Sequence, residues 1–212
     1  MSTNTYFIMR HGLTDWNVMG LRQGQTDIPL NDEGRKQADA MRVQVEQLND
    51  EVKFDRIISS DLKRARETAF IVNRNLMLPV SFDERLRERF WGSYEGKSKN
   101  VFEAERKVEI ETYKTLSEKE KWSFKFAPDI ESDKELFGRL GSFLTEINPQ
   151  YSNERILMLA HEDLMRVVLI HTGWAQSLEM PSGSFHHGAR VAFEFNDSQV
   201  SLVIAEGIVR AD

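Results

Sequence analysis

The chain has no cysteine among its 212 residues. Disulfides, thiolate catalysis and cysteine-based zinc sites are therefore excluded, and a cytoplasmic location fits. An excess of positive charge is missing too: 28 lysines and arginines stand against 34 aspartates and glutamates, for a formal net charge of −6. A basic surface for nucleic acid is thus absent, although a small positive pocket for an anion is still allowed. No apolar run reaches the roughly 18 residues of a membrane span, and the first residues lack the charged-then-apolar pattern of a secretion signal, so no membrane partner is expected. Repeats, low-complexity tracts and interdomain linkers are also missing. What is present is ordinary for a globular protein: 40% hydrophobic and 29% charged residues. Residues 1–212 read as one α/β domain with a small insertion.

The most informative stretch runs from Tyr6 to Asn17. Tyr6-Phe7-Ile8-Met9 is the right length for a buried strand, and it stops abruptly at Arg10-His11-Gly12. Ligands bind where strands of an open α/β sheet end. Arg10 offers a planar fork of donors suited to phosphate. His11 is a nitrogen nucleophile whose free pKa lies near neutrality. Gly12 permits a turn or a close backbone approach. Thr14 and Asn17 add groups that can bond phosphate oxygens.

Further along, Gly20 to Leu30 reads as a loop, in which Arg22 and Gln23 either reach a bound anion or stay solvated. Asn31 caps a helix whose apolar stripe is Ala38, Met41, Val45 and Leu48. Phe54 to Ile58 reads as a strand, and Ser60 as the N-cap of a helix with Leu62, Ala65, Ala69, Val72 and Leu76 on its buried face. Arg64 falls in that helix's first turn, where anions are attracted. Pro79 to Phe82 forms a short strand. The aperiodic segment Leu86 to Gly96 is a loop that carries Glu88 among Arg85, Arg87 and Arg89: a general acid if part-buried, or else a member of an ion network. Lys97 to Lys125 is heavily charged and reads as one or two amphipathic helices over the site, a lid-like insertion at about 97–128. Ser132 to Glu135 has capping-box spacing. Glu131 and Ser132 could also touch a ligand. Arg155 to Ala160 is another buried strand and ends on His161-Glu162-Asp163, as the first ends on His11. Met180 to His187 reads as a loop. Metal binding by His186 and His187 is not expected, since adjacent side chains on an extended segment point apart. Val191 to Phe195 and Val200 to Ile204 form a closing hairpin, with Asn196, Asp197 and Ser198 in its turn.

Taken together, these motifs closely resemble the histidine phosphatase superfamily, also called the phosphoglycerate mutase-like family. The resemblance rests on Arg10-His11-Gly12 with Thr14, Trp16 and Asn17, on the Gln23-Gly24 to Asn31 loop, and on Ser59 to Leu62 with Arg64-Ala65. It rests also on Glu67-Thr68-Ala69, on Leu86 with Glu88, Gly92 and Glu95-Gly96, on Glu131-Ser132, and on His161 followed by Arg166. It implies a three-layer α/β/α sandwich with a mostly parallel central sheet. It implies a metal-independent phosphomonoester hydrolase that acts through a phosphohistidine on a small phosphorylated substrate, with no metal and no organic cofactor. His11 would be the nucleophile, Arg10, Arg64 and His161 would hold the phosphoryl oxygens, and Glu88 would be the proton donor. Asn17, Gln23, Thr14, Arg22, Glu162 and His187 would complete the substrate site. Two departures stand out: Glu162 replaces the family's usual glycine after the second histidine, and His187 aligns where an asparagine is common. A mutase that returns the phosphoryl group, and a phospho-ligand binding module with a weakened site, are the alternatives. Oligomeric state is open, with a homodimer among the options.

Overall fold

The computed structural model describes residues 3–196 and 199–211. Six strands form one sheet in the order β3-β2-β4-β1-β5-β6. They are β1 (Asn4–Arg10), β2 (Arg56–Ser60), β3 (Val80–Asp83), β4 (Arg155–Ala160), β5 (Phe185–Asn196) and β6 (Gln199–Ile208). The first four run parallel, whereas β5 pairs antiparallel with β1 and β6 antiparallel with β5. The sheet is therefore mixed, parallel over the half that carries the strand ends of interest.

Alternation along β1 builds two cores. Tyr6 and Ile8 face one side and Phe7 and Met9 the other, all at most 4% exposed. A strand buried on both faces must be apolar throughout, which explains the continuous run in the sequence. Helices α2 (Asp32–Val52) and α3 (Lys63–Val72) cover the Phe7 side, while α7 (Asp133–Ile147) and α8 (Glu162–His171) cover the Tyr6 side. Each fully buried large apolar side chain contributes about 1.5–3 kcal/mol, so the two cores fix the strand register strongly.

Local signals explain the helix ends. The Asn31 side chain accepts from Gly34 N at 2.8 Å and starts α2. Ser132 and Glu135 make the expected reciprocal cap of α7. Ser60, however, is not the cap of α3; Leu62 takes that position without a side-chain cap, and Ser60 turns to a histidine described below. Leu76 lies beyond the end of α3. The second strand starts at Arg56 rather than Phe54, and β5 starts at Phe185, so the segment read as a loop to His187 ends in the sheet. Of the expected hairpin turn, Asp197 and Ser198 lie outside the described residues.

The insertion forms three short helices rather than one or two: α4 (Lys99–Glu105), α5 (Lys107–Thr115) and α6 (Glu118–Ser123). They pack on a small aromatic core in which Phe102 meets Tyr94, Trp91 and Phe126 at ring-centroid distances of 5.1, 5.4 and 5.7 Å. The shortest elements include α1 (Asp15–Val18) and the single turns after β3. Among the described residues, no helix is long and apolar enough to cross a membrane.

Candidate active site

Register brings the two histidines together. Arg10 pairs with Ala160 across β1 and β4, so the next residue of each strand, His11 and His161, emerges side by side at the carboxyl edge. Their ring centroids are 5.1 Å apart. Ser59 pairs with Leu159, which brings Ser60 to the same edge.

Contacts define the state of His11. Nδ1 lies 2.6 Å from the carbonyl oxygen of Gly12, which can only accept, so the proton sits on Nδ1 and the lone pair on Nε2. Burial, followed by Arg64 and Arg10, holds this imidazole's pKa well below the ordinary histidine value, so it is neutral near pH 7. Arg64 is fully buried at the start of α3 and donates from Nε to His11 Nε2 at 3.2 Å. Its two terminal nitrogens are held by Thr26 O at 2.9 Å and Gly24 O at 2.7 Å. Burial lowers its pKa to about 10, which leaves it charged.

His161 is fully buried and likewise held neutral, chiefly by burial and then by Arg64. Its Nε2 lies 2.9 Å from Ser60 Oγ, while Nδ1 has no hydrogen-bond partner among the described residues. A buried nitrogen without a partner is costly unless something is meant to meet it. Ser60 was legible in the sequence only as a cap, because its pairing with His161 depends on strand order.

Gly12 is where close backbone approach matters. A Cβ there would lie 2.3 Å from the carbonyl oxygen of Gly34, in the first turn of α2. The N-terminal end of α2 thus presses directly on the turn that orients His11.

Glu88 lines the same cavity as His11, Arg10 and Arg64. Its Oε1 accepts from Arg89 N at 2.7 Å. Its low-dielectric surroundings, and next the nearby Asp163 carboxylate, push its pKa up to about 8, so it is mostly protonated at neutral pH. Arg139, which the sequence reading did not single out, holds this loop. It donates to the carbonyl oxygens of Arg85, Arg87 and Glu88 and forms a paired bond with Glu131. Glu131 is thereby committed to Arg139, and also accepts from Phe90 N at 3.1 Å, instead of lining the cavity.

Asn17, Gln23, Arg22 and Glu162 also line the cavity; Thr14 and His161 do not. Thr14 is buried and donates to Gln23 Oε1 at 2.8 Å, while its backbone N donates to Asn17 Oδ1 at 3.1 Å. It fixes the two amides by their oxygens and leaves their nitrogens for the cavity. Arg22 is half-buried, with its guanidinium over the ring of Trp91. Glu162 accepts from Arg10 Nη1 and, through its other oxygen, from Gly183 N at 2.7 Å. The carboxylate is thus tied to the side, and Arg10 keeps its remaining donors. The side chain of His187 lies outside what the structure describes, and His186 is exposed.

Among the described residues, no group of three or more histidines, aspartates or glutamates is arranged to hold a metal ion. A fold with parallel strand ends, two neutral histidines and two flanking arginines is that of a phosphoryl-handling enzyme. The model of the histidine phosphatase superfamily (branch 1) matches residues 6–206, and the chain belongs to that family. It is 35% identical over 163 residues to "Uncharacterized phosphatase PhoE" of Bacillus subtilis (strain 168), covering 76% of this chain and 74% of that one. It is 30% identical over 171 residues to "Metal-independent phosphoserine phosphatase" of Arabidopsis thaliana, covering 80% and 69%. Among solved structures, "Bacillus stearothermophilus YhfR" superposes with a TM-score of 0.78 at 25% identity, covering 97% and 98% of the two chains. The family and these relatives support a phosphatase.

Proposed function

We propose that the protein is a metal-independent phosphomonoester hydrolase that works through a phosphohistidine at His11. The observation that carries this reading is the tautomer of His11: Nδ1–H held by Gly12 O and the Nε2 lone pair turned to the Arg64 Nε donor. A phosphoryl oxygen can take over that donor while Nε2 meets phosphorus.

Nε2 attacks phosphorus and the bond to the ester oxygen breaks. The departing oxygen takes the proton of Glu88, which its surroundings keep protonated up to about pH 8. Water then attacks the phosphohistidine and gives a proton to the Glu88 carboxylate, and the P–N bond breaks to release phosphate. Arg10, Arg64 and His161 stabilise the charge on the phosphoryl oxygens. For His161, Nε2 shares a hydrogen bond with the Ser60 hydroxyl, which leaves Nδ1 as the ring nitrogen without a partner in the protein. These fixed positive groups supply what metal ions supply in other phosphoryl-transfer sites. The alternative of a weakened binding module rests on Glu162, which lines the cavity and is bonded to Arg10 and to Gly183 N; turnover of a phosphoester would count against it.

The test is hydrolysis of phenyl phosphate in the presence of a chelator. Wild type should release phosphate, and His11→Ala should lose about four decades of kcat/KM. Activity that required added divalent metal, or that survived in His11→Ala, would refute the proposal. Relatives include "Phosphoglycerate mutase-like protein 4" of Arabidopsis thaliana, 37% identical over 164 residues. Interconversion of phosphoglycerates without phosphate release would favour the mutase.

A further inference from the structure

Arg64 is fully buried, and its aim is set by backbone rather than by a carboxylate. Its terminal nitrogens meet Thr26 O at 2.9 Å and Gly24 O at 2.7 Å, and with both fixed the planar guanidinium directs Nε at His11 Nε2. The two carbonyls belong to the turn at residues 24–26, so whatever shapes that turn also aims the arginine.

Glu95 shapes it from outside. This side chain is half-buried and does not line the cavity. Its Oε1 accepts from Gln25 N at 2.9 Å and from Trp91 N at 3.2 Å, and its Oε2 accepts from Thr26 N at 2.8 Å and from the Thr26 hydroxyl at 2.6 Å. Thr26 N also approaches Gln23 O at 3.1 Å, and the Gln25 side chain donates to Glu88 O at 3.2 Å. One carboxylate thus joins the turn to the loop of the proton donor. Gly24 leaves room for it: φ there is +54°, and a Cβ would lie 2.0 Å from Glu95 Oε1. Three backbone N–H groups and a hydroxyl converge on its two oxygens. An ionised carboxylate, which only accepts, satisfies all of them; an amide does not.

Resting on the phosphatase reading, we propose that Glu95 is a positioning residue for Arg64. Without touching the substrate, it holds the turn whose carbonyl oxygens aim the guanidinium at the phosphoryl group on His11.

Affinity for inorganic phosphate tests this apart from catalysis, in a double-mutant cycle with Arg64→Met, which removes the donors and keeps much of the volume. Titration calorimetry should show Glu95→Gln binding phosphate about tenfold more weakly than wild type, since an NH2 group would then face backbone donors. Glu95→Asp, which keeps both acceptor oxygens, should fall between. In the Arg64→Met background the same Glu95→Gln change should alter affinity by less than about twofold. Thr26→Val, which deletes only the hydroxyl bond, is the milder variant should Glu95→Gln not fold; its loss of about two- to threefold should likewise vanish in Arg64→Met. With phenyl phosphate, kcat/KM should follow the same pattern. Equal losses in both backgrounds overturn the proposal, because Glu95 would then act on something other than Arg64. So does wild-type affinity in Glu95→Gln, or a wild type that does not bind phosphate. The expected pattern of affinities without hydrolysis of phenyl phosphate would sink the catalytic reading and leave this one standing.

Discussion

The floor and the wall of the cavity are built on opposite terms. The floor is the edge of a parallel sheet, where His11 and His161 stand at 6% and 0% exposure on strands buried on both faces. Of the four ring nitrogens, three are committed, to Gly12 O, the Arg64 guanidinium and the Ser60 hydroxyl, and His161 Nδ1 has no partner among the described residues. The wall is the insertion and the Glu88 loop, where aromatic rings pack beneath charged helices and surface ion pairs abound. Burial and fixed partners mark the floor; aromatic packing under exposed charge marks the wall. Substitutions should therefore act steeply on the floor and its proton donor, and gently on the wall.

The steepest of these concerns Glu88. Glu88→Gln should lower kcat by about two to four decades on an ester with a poor leaving group. In wild type, kcat/KM should fall as pH rises through about 8, because the acid form of Glu88 is lost there, and the variant should not show that limb. The same substitution should stabilise the fold. The folded pKa lies above the unfolded one, so ionisation costs stability as pH climbs from the usual carboxylate range to about 8. A melting curve at pH 8.5 should show Glu88→Gln above wild type, with the gap closing at pH 4. An unchanged turnover rate would remove Glu88 from the proton-donor role.

Gly12→Ala tests the contact between floor and α2. Its Cβ would meet the Gly34 carbonyl, so urea unfolding should show a loss of about 1–3 kcal/mol together with reduced activity. An unchanged midpoint would mean that α2 does not constrain the turn. Smaller still is Glu162→Gln. Removing a carboxylate beside Arg10 should lower KM for a simple phosphoester by about two- to fivefold, since the local potential becomes more positive. A higher KM would show that Glu162 instead holds Arg10 in its working position. The smallest effect belongs to Lys125→Ala on the outer wall. Its pair with Glu135 is solvent-exposed, and unfolding free energy should change by less than about 0.5 kcal/mol.

This division also explains what the sequence could reveal. The strands of the floor are short apolar runs that break at charged residues, so β1, β4 and both histidines can be read one segment at a time. Arg64 could be placed on the first turn of its helix from spacing alone. What joins them was not readable. The bond between Ser60 and His161 spans 101 positions, and Arg139 reaches the Glu88 loop across about fifty; both depend on strand order. Thr14 was assigned to the substrate for its hydroxyl, but its burial turns that group to Gln23. The insertion resisted reading because charge surrounds its helices on most sides. Its apolar residues meet in an aromatic cluster that includes Trp91 and Tyr94, from outside the segment.

The central claim is that His11 accepts the phosphoryl group. It is tested most directly by mixing enzyme with a 32P-labelled phosphoester, quenching in alkali within the first turnovers, and mapping the label to a peptide. The account predicts base-stable, acid-labile label on His11, absent from His11→Ala. Steady phosphate release with no label on the protein, or with label on another residue, would contradict it.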